Sequence, residues 1–200
     1  LLDTQVGWLA NQALNYFISG RTPVRTGAWH PNLAPYQPFE TGDDPIVIAV
    51  GNDAQFQRLC VCIERQDLTD DARFRTNPDR VQNRPALIRE LEPEIRRHAA
   101  AHWLEALPRT GVPCCPINSI AQAFEDPQIR HRGMQITLEH PLSGRVDGVA
   151  NPLNLSATPV EYEKAPPLLG EDTDEVLRRV LGYADDAIQG LRDNGVLGQS

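Results

Sequence analysis

The chain carries seventeen prolines in 200 residues, and their clustering constrains it more than any other feature. Proline fixes its own φ at about −65° and offers no backbone N–H, so helix interiors and central strands do not run through a cluster of them. The clusters fall at 31–45, 108–116 and 152–167. They mark loops and crossings between packed units.

Before the first cluster, Leu2, Val6, Leu9, Ala13 and Phe17 share one face at helical spacing. That spacing predicts a single helix over 1–20, stopped by Gly20. Residues 21–45 show little regular pattern. Ile46–Val50 is a β-branched run that reads as a buried strand. Gly51-Asn52-Asp53 then turns the chain, and Asn52 or Asp53 caps a helix to about Ile63. Asn77-Pro78 reads as a helix start, with Pro85 dividing or kinking the helical run that follows. A further helix is expected over about 100–108, ended by Gly111. After an extended 112–117, Asn118 or Ser119 caps a helix holding Ile120, Ala123 and Phe124. Met134–Glu139 and Arg145–Val149 read as two strands. Beyond the last proline cluster, Glu171–Glu175 opens a helix with its acids where the helix dipole favours them, and a short helix spans about 184–193. Alternating strands and helices make this an α/β chain. Its middle, about 41–150, holds enough apolar residues for a core of its own, and its two ends read as arms that pack elsewhere.

Charge and motifs then exclude several classes of function. The net charge is −8, with 27 acidic residues against 19 basic, which disfavours non-specific nucleic-acid binding. No apolar run approaches the ~20 residues that span a bilayer, and no signal-peptide pattern opens the chain. Neither a nucleic acid nor a membrane is therefore expected as a partner. The chain begins at Leu1 inside an apolar-periodic segment, as a piece of a longer protein is expected to. Cys60, Cys62, Cys114 and Cys115 do not make two Cys-x-x-Cys pairs. They read as structural thiols in a reducing, cytoplasmic setting. His98 and His102 are four apart, but three alanines separate them, with no glutamate in the metalloprotease position. No metal site is expected. There is no Gly-x-Ser-x-Gly elbow, no phosphate-binding Gly-x-x-x-x-Gly-Lys loop and no Gly-x-Gly-x-x-Gly. Carboxylates at helix starts, such as Asp53 and Asp172, read as caps. Arg73, Arg75, Arg80 and Arg84 form a local basic cluster, readable either as an anion site or as salt bridges and a partner surface. The proline-rich segment 25–39 is the long loop most suited to function.

Several segments taken together resemble the class III CoA-transferase family, the carnitine-dehydratase and bile-acid-inducible type. They are Leu2-Asp3-Thr4-Gln5 to Gly20, His30-Pro31-Asn32 with Pro35-Tyr36-Gln37-Pro38-Phe39, and Val50-Gly51-Asn52-Asp53. Further on stand Arg73-Phe74 with Asn77, Arg80-Val81 and Asn83-Arg84. Gly111-Val112-Pro113-Cys114, Pro116-Ile117-Asn118, Asp126-Pro127-Gln128 and Arg132-Gly133-Met134 follow, and Pro166 to Thr173 closes the series. Their order and spacing over nearly the whole chain carry the resemblance, which is strongest to the succinate–hydroxymethylglutarate CoA-transferase branch.

The resemblance implies an anatomy and a chemistry. Family members have a large Rossmann-like α/β domain built from both ends of the chain and a small domain from the middle, and two chains interlace as linked rings. Residues 1–40 are then the end of the large domain's first part and a linker. Residues 41–150 are the small domain, and 151–200 are the crossing and the C-terminal return to the large domain. The implied function is transfer of CoA between an acyl-CoA and a carboxylic acid, dicarboxylic in this branch. An aspartate attacks the thioester and forms a mixed anhydride, and exchange proceeds through an aspartyl-CoA thioester. That aspartate belongs upstream of Leu1, and Asp3 is not at its position, so no catalytic residue is expected within this chain. CoA enters as a thioester substrate, and no tightly bound cofactor is expected. In the formyl-CoA transferase branch the region matching 25–39 is a glycine-rich loop that closes over the aspartate and ends in Gln-Pro. Here Gln37-Pro38 stands in that place, but Pro31 to Tyr36 replaces the glycines, turning a flexible lid into a stiffer wall. His30, Tyr36 and Gln37 are the implied acyl-side contacts. Two alternatives stay open: a non-catalytic piece that serves dimerisation and site shaping, and an isomerase like the family's α-methylacyl-CoA racemases.

Overall fold

The computed structural model describes Leu1–Gly198, so the last two residues of the 151–200 segment lie outside the described residues. The chain divides into two compact units, one from Leu1 to Ile117 and one from Asn118 onward.

The first unit opens with α1 (Leu2–Gly7) and α2 (Ala10–Ser19). The single helix expected over 1–20 is thus two, parted where Leu9 departs from helical geometry just after Gly7. Glycine weakens a helix interior, and no residue of either helix is buried, so no packing restores the break. The expected stop at Gly20 is present, in the left-handed conformation with φ 68°.

Residues 21–45 also depart from the expectation, because they contain a strand. β1 (Tyr36–Phe39), β2 (Ile46–Ala49) and β3 (Cys114–Pro116) form one antiparallel sheet in the order β1-β2-β3. Tyr36 pairs with Ala49 and Phe39 with Ile46, while Ile48 pairs with Cys114. Pro35 and Pro38 hid β1 in the sequence. Proline is tolerated there because β1 is an edge strand with one neighbour.

Helices α3 (Asp53–Cys62), α4 (Asp67–Asp70), α5 (Asn77–Gln82), α6 (Arg84–Ile95) and α7 (Ala100–Arg109) accompany this sheet. Phe39, Ile46, Ile48, Phe56, Leu59 and Leu87 belong to one buried cluster. Asn52 caps α3 as expected, its side chain accepting from Gln55 N–H at 2.9 Å. Asp53 is no cap: it is the first residue inside α3, and its carboxylate turns to Arg80. The start of α5 is shifted by one residue from the expectation. Thr76 is the cap, in a reciprocal box with Asp79, which places Asn77 inside the first turn beside Pro78.

In the second unit, α8 (Ile120–Glu125) is capped by Ser119 with Gln122 reaching back, and α9 (Pro127–His131) by Asp126. β4 (Gln135–His140) and β5 (Gly144–Val149) form a hairpin in which Gln135 pairs with Val149 and His140 with Gly144. After the extended crossing come α10 (Thr173–Arg179) and α11 (Asp185–Asp193). Asp172 precedes α10 without a capping bond and instead holds Lys164 at 2.7 Å, because the lysine ammonium lies within its reach. Arg192 of α11 grips Asp174 of α10 through both Nη atoms, the shorter contact 2.5 Å. No helix among the described residues is long and apolar enough to cross a membrane.

Candidate functional site

The segment from Trp29 to Gln37 enters β1 through a tight, internally bonded turn. His30 N–H donates to the Tyr36 carbonyl at 2.9 Å, which closes the turn across its base. The two rings then stack, with centroids 5.2 Å apart and planes 16° from parallel. His30 Nδ1 accepts from Asn32 N–H at 3.1 Å, so the neutral ring carries its proton on Nε2. The Ala34–Pro35 peptide is cis, and Ala34 is fully buried.

His30 and Tyr36 are therefore brought together, but Gln37 is not beside them. Side chains alternate along a strand, and the partners of Gln37 and Phe39 across the ladder are the buried Ile48 and Ile46. Gln37 thus projects from the core side of β1 and Tyr36 from the opposite side. Gln37 is half-buried, and its side-chain amide makes no hydrogen bond among the described residues.

The turn is held from outside by α5 and α6. Asn77 Nδ2 donates to the Asn32 carbonyl at 2.8 Å, and its Oδ1 accepts from Ala34 N–H at 3.2 Å. Arg80, fully buried, donates from Nε to the Ala34 carbonyl at 2.7 Å, from Nη1 to the Phe74 carbonyl at 3.0 Å and from Nη2 to Asp53 at 2.7 Å. Its guanidinium also lies 4.4 Å from the Phe56 ring centroid. Arg84, 5% exposed, donates from Nη2 to the carbonyls of His30 and Leu33 at 2.7 and 2.8 Å. Trp29 covers it, its ring centroid 4.2 Å from the guanidinium carbon. On the other side of the turn, Asn32 Nδ2 donates to Asn15 of α2 at 2.9 Å.

The basic cluster therefore divides by direction. Arg73 is an exposed partner of Asp71 at 2.7 Å, and Arg75 reaches the Asp70 carbonyl. Arg80 and Arg84 turn inward onto backbone carbonyls. Among the described residues Arg84 has no carboxylate partner and its Nε and Nη1 have no hydrogen-bond partner, and burial pushes its pKa down. The sequence could not show these directions, since all four arginines read alike by spacing.

The remaining candidates have little room for chemistry. His98 and His102 stack at 4.1 Å, and both meet Trp103 edge-on. No group of three or more metal-ligating side chains occurs among the described residues. All four cysteines are free, and burial pushes the Cys60 thiol up to about 12. The carboxylates of Asp43, Asp67 and Asp71 are held below their usual range, by backbone N–H donors chiefly from Ala100, by Arg65 and by Arg73 respectively. A cleft of about 470 Å³ runs between α2 and the 21–32 segment, lined by Asn15, Ile18, Arg21, Val24, Trp29 and Asn32 among others.

Comparison with known proteins places this arrangement. The family model described as CoA-transferase family III matches residues 1–173. A succinate–glutarate CoA-transferase of Agrobacterium fabrum is 41% identical over 177 residues, covering 88% of this chain and 44% of the relative. The succinyl-CoA:glutarate CoA-transferase of Homo sapiens is 36% identical over 199 residues and is covered over 45% of its length. A crystal structure of a CaiB/BaiF family protein from Brucella suis superposes with a TM-score of 0.70 at 39% identity, covering 85% of this chain and 44% of that one. The chain thus spans less than half the length of these relatives. With a family model matched over most of its residues and an α/β fold shared with a solved member, the chain belongs to CoA-transferase family III.

Proposed function

We propose that this chain is the C-terminal part of a CoA-transferase that moves CoA between an acyl-CoA and a dicarboxylic acid. The family match over residues 1–173 carries the reading, and the names of the succinate and glutarate relatives supply the acid class. The nucleophile is an aspartate upstream of Leu1. The carboxylates of this chain with resolved shifts suit that assignment, since each is already engaged by an arginine or by backbone donors. A nucleophilic carboxylate needs its lone pairs free and aimed at the thioester carbon.

In this reading the 25–39 segment is the acyl-side wall. His30 and Tyr36 present a stacked pair on one side of β1, and Gln37 offers an unengaged amide on the other. That amide donates to the acyl or anhydride oxygen as negative charge builds there. CoA enters and leaves as a substrate thioester, with no resident cofactor. Residues 41–150 form the small domain and 151–200 return to the large one. The interlaced homodimer follows from the same reading and is supported by the exposed apolar side chains of α1 and α2, such as Leu2, Val6 and Phe17. Four free thiols suit a cytoplasmic protein.

The test is CoA exchange by the intact polypeptide that contains this chain. Incubated with succinyl-CoA and glutarate, it is expected to form glutaryl-CoA and succinate in equal amounts, read by mass spectrometry. Thioester hydrolysis without exchange, or epimerisation of a 2-methylacyl-CoA without exchange, would overturn the proposal.

A further inference from the structure

We infer that Asn77, Arg80 and Arg84 are positioning residues: they hold the backbone of residues 30–34 and so set where the acyl-side wall stands. The inference rests on the reading of that wall as part of the transferase site. It does not rest on any contact between these three residues and a substrate.

Asn77 and Arg80 are three apart in α5, and Arg84 is the first residue of α6; their hydrogen bonds bring all three onto the 30–34 turn. Together they engage the carbonyls of His30, Asn32, Leu33 and Ala34 and the N–H of Ala34. Backbone groups in a turn have no ladder to satisfy them, and when buried they need side-chain partners. Here those partners all come from the adjoining helices α5 and α6, which hold the turn against them. The turn is tied in sequence to Tyr36, whose carbonyl accepts from His30, and Pro35 is tied to β2 because its carbonyl accepts from Val50.

Arg84 shows most clearly that the arrangement is committed to the turn. A buried guanidinium is ordinarily paired with a carboxylate, since an uncompensated charge in a low dielectric is costly. Among the described residues Arg84 has none, leaves Nε and Nη1 unpartnered, and directs Nη2 at two carbonyl oxygens while Trp29 caps its face. Arg80 spreads its donors similarly over Ala34, Phe74 and Asp53. Small displacements matter at such a wall, because misplacing reacting groups by about 1 Å costs on the order of a hundredfold in rate.

The experiment compares three variants of the intact polypeptide. Asn77→Ala leaves the Thr76 cap in place, Arg84→Met keeps the stem over Trp29 but removes the donors, and Arg75→Met is a control from the same basic cluster. Amide hydrogen exchange is followed by mass spectrometry on peptides covering 28–36, 53–62 and 84–95. Exchange in 28–36 is expected to quicken by about tenfold or more in Asn77→Ala and Arg84→Met, with the helices still protected. In the same two variants kcat per folded molecule is expected to fall by on the order of tenfold to a hundredfold. The KM for the CoA thioester should move by less than about threefold, since uniform binding is not what is lost. The control should match the unaltered protein in both readouts. Unchanged exchange in 28–36 would overturn the inference while leaving the function proposed for the chain intact. Faster exchange with unchanged kcat would also overturn it, by showing a held loop that the reaction does not use. If Gln37→Ala is then silent too, the reading of the wall has failed with it.

Discussion

The side-chain amide of Gln37 is half-buried on the core side of β1 and makes no hydrogen bond among the described residues. An amide in that state is free to donate to solvent or to a ligand. If it donates to the developing oxyanion, Gln37→Ala should lower the CoA-transfer rate by about a hundredfold or more, the value of a preorganised donor being roughly 2.7–4 kcal/mol. The melting temperature should hardly move, since no internal hydrogen bond is lost. A normal rate per folded molecule with stability lowered by ~1 kcal/mol would instead make Gln37 a structural residue. His30 and Tyr36 were legible as candidates from the loop's composition and the family resemblance, but their stacking was not. Nor did the sequence separate Gln37 from them, because the strand that sends neighbours to opposite sides was hidden by Pro35 and Pro38. The inward turn of Arg80 and Arg84 was likewise out of reach. Arginine at helical spacing reads the same whether it meets solvent or a carbonyl two elements away.

At the scale of elements, periodic segments bounded by strong punctuation were readable. The β2 run, the Asn52 cap and the Gly111 stop after α7 all lie where apolar spacing and turn residues put them. Failures came where the deciding interaction is long-range or the element is short. β1 exists through pairing with β2, and α4 and α9 have 4 and 5 residues, too few for a period. The start of α5 is instructive, because Asn77-Pro78 has the composition of a cap and first turn while Thr76 does the capping. Thr76 Oγ1 accepts from Asp79 N–H, and the Asp79 carboxylate takes the Thr76 N–H at 3.2 Å. Thr76→Ala is therefore expected to lower stability in urea unfolding by about 1 kcal/mol. A cost near zero would show that the Thr76–Asp79 box contributes nothing to stability.

At the scale of the whole molecule, composition and charge excluded functions and the family resemblance supplied one. The physical reason is that the candidate reactive groups among the described residues carry no local motif. The cysteines are free, with Cys60 held protonated by burial. His30, His98, His102 and His140 stack on aromatic neighbours or accept from their own turns, and the perturbed carboxylates are engaged. In the proposed reading the chain contributes a shaped wall and the helices that hold it, and a wall has no motif. The central proposal is that this chain frames a covalent reaction whose nucleophile lies outside it. Trapping the acyl-enzyme decides the matter. The intact polypeptide is mixed with succinyl-CoA and hydroxylamine, digested, and searched by mass spectrometry for the carboxylate converted to a hydroxamate. The account predicts a single modified aspartate upstream of the segment numbered here from Leu1. A hydroxamate on any aspartate or glutamate within residues 1–200 would contradict it.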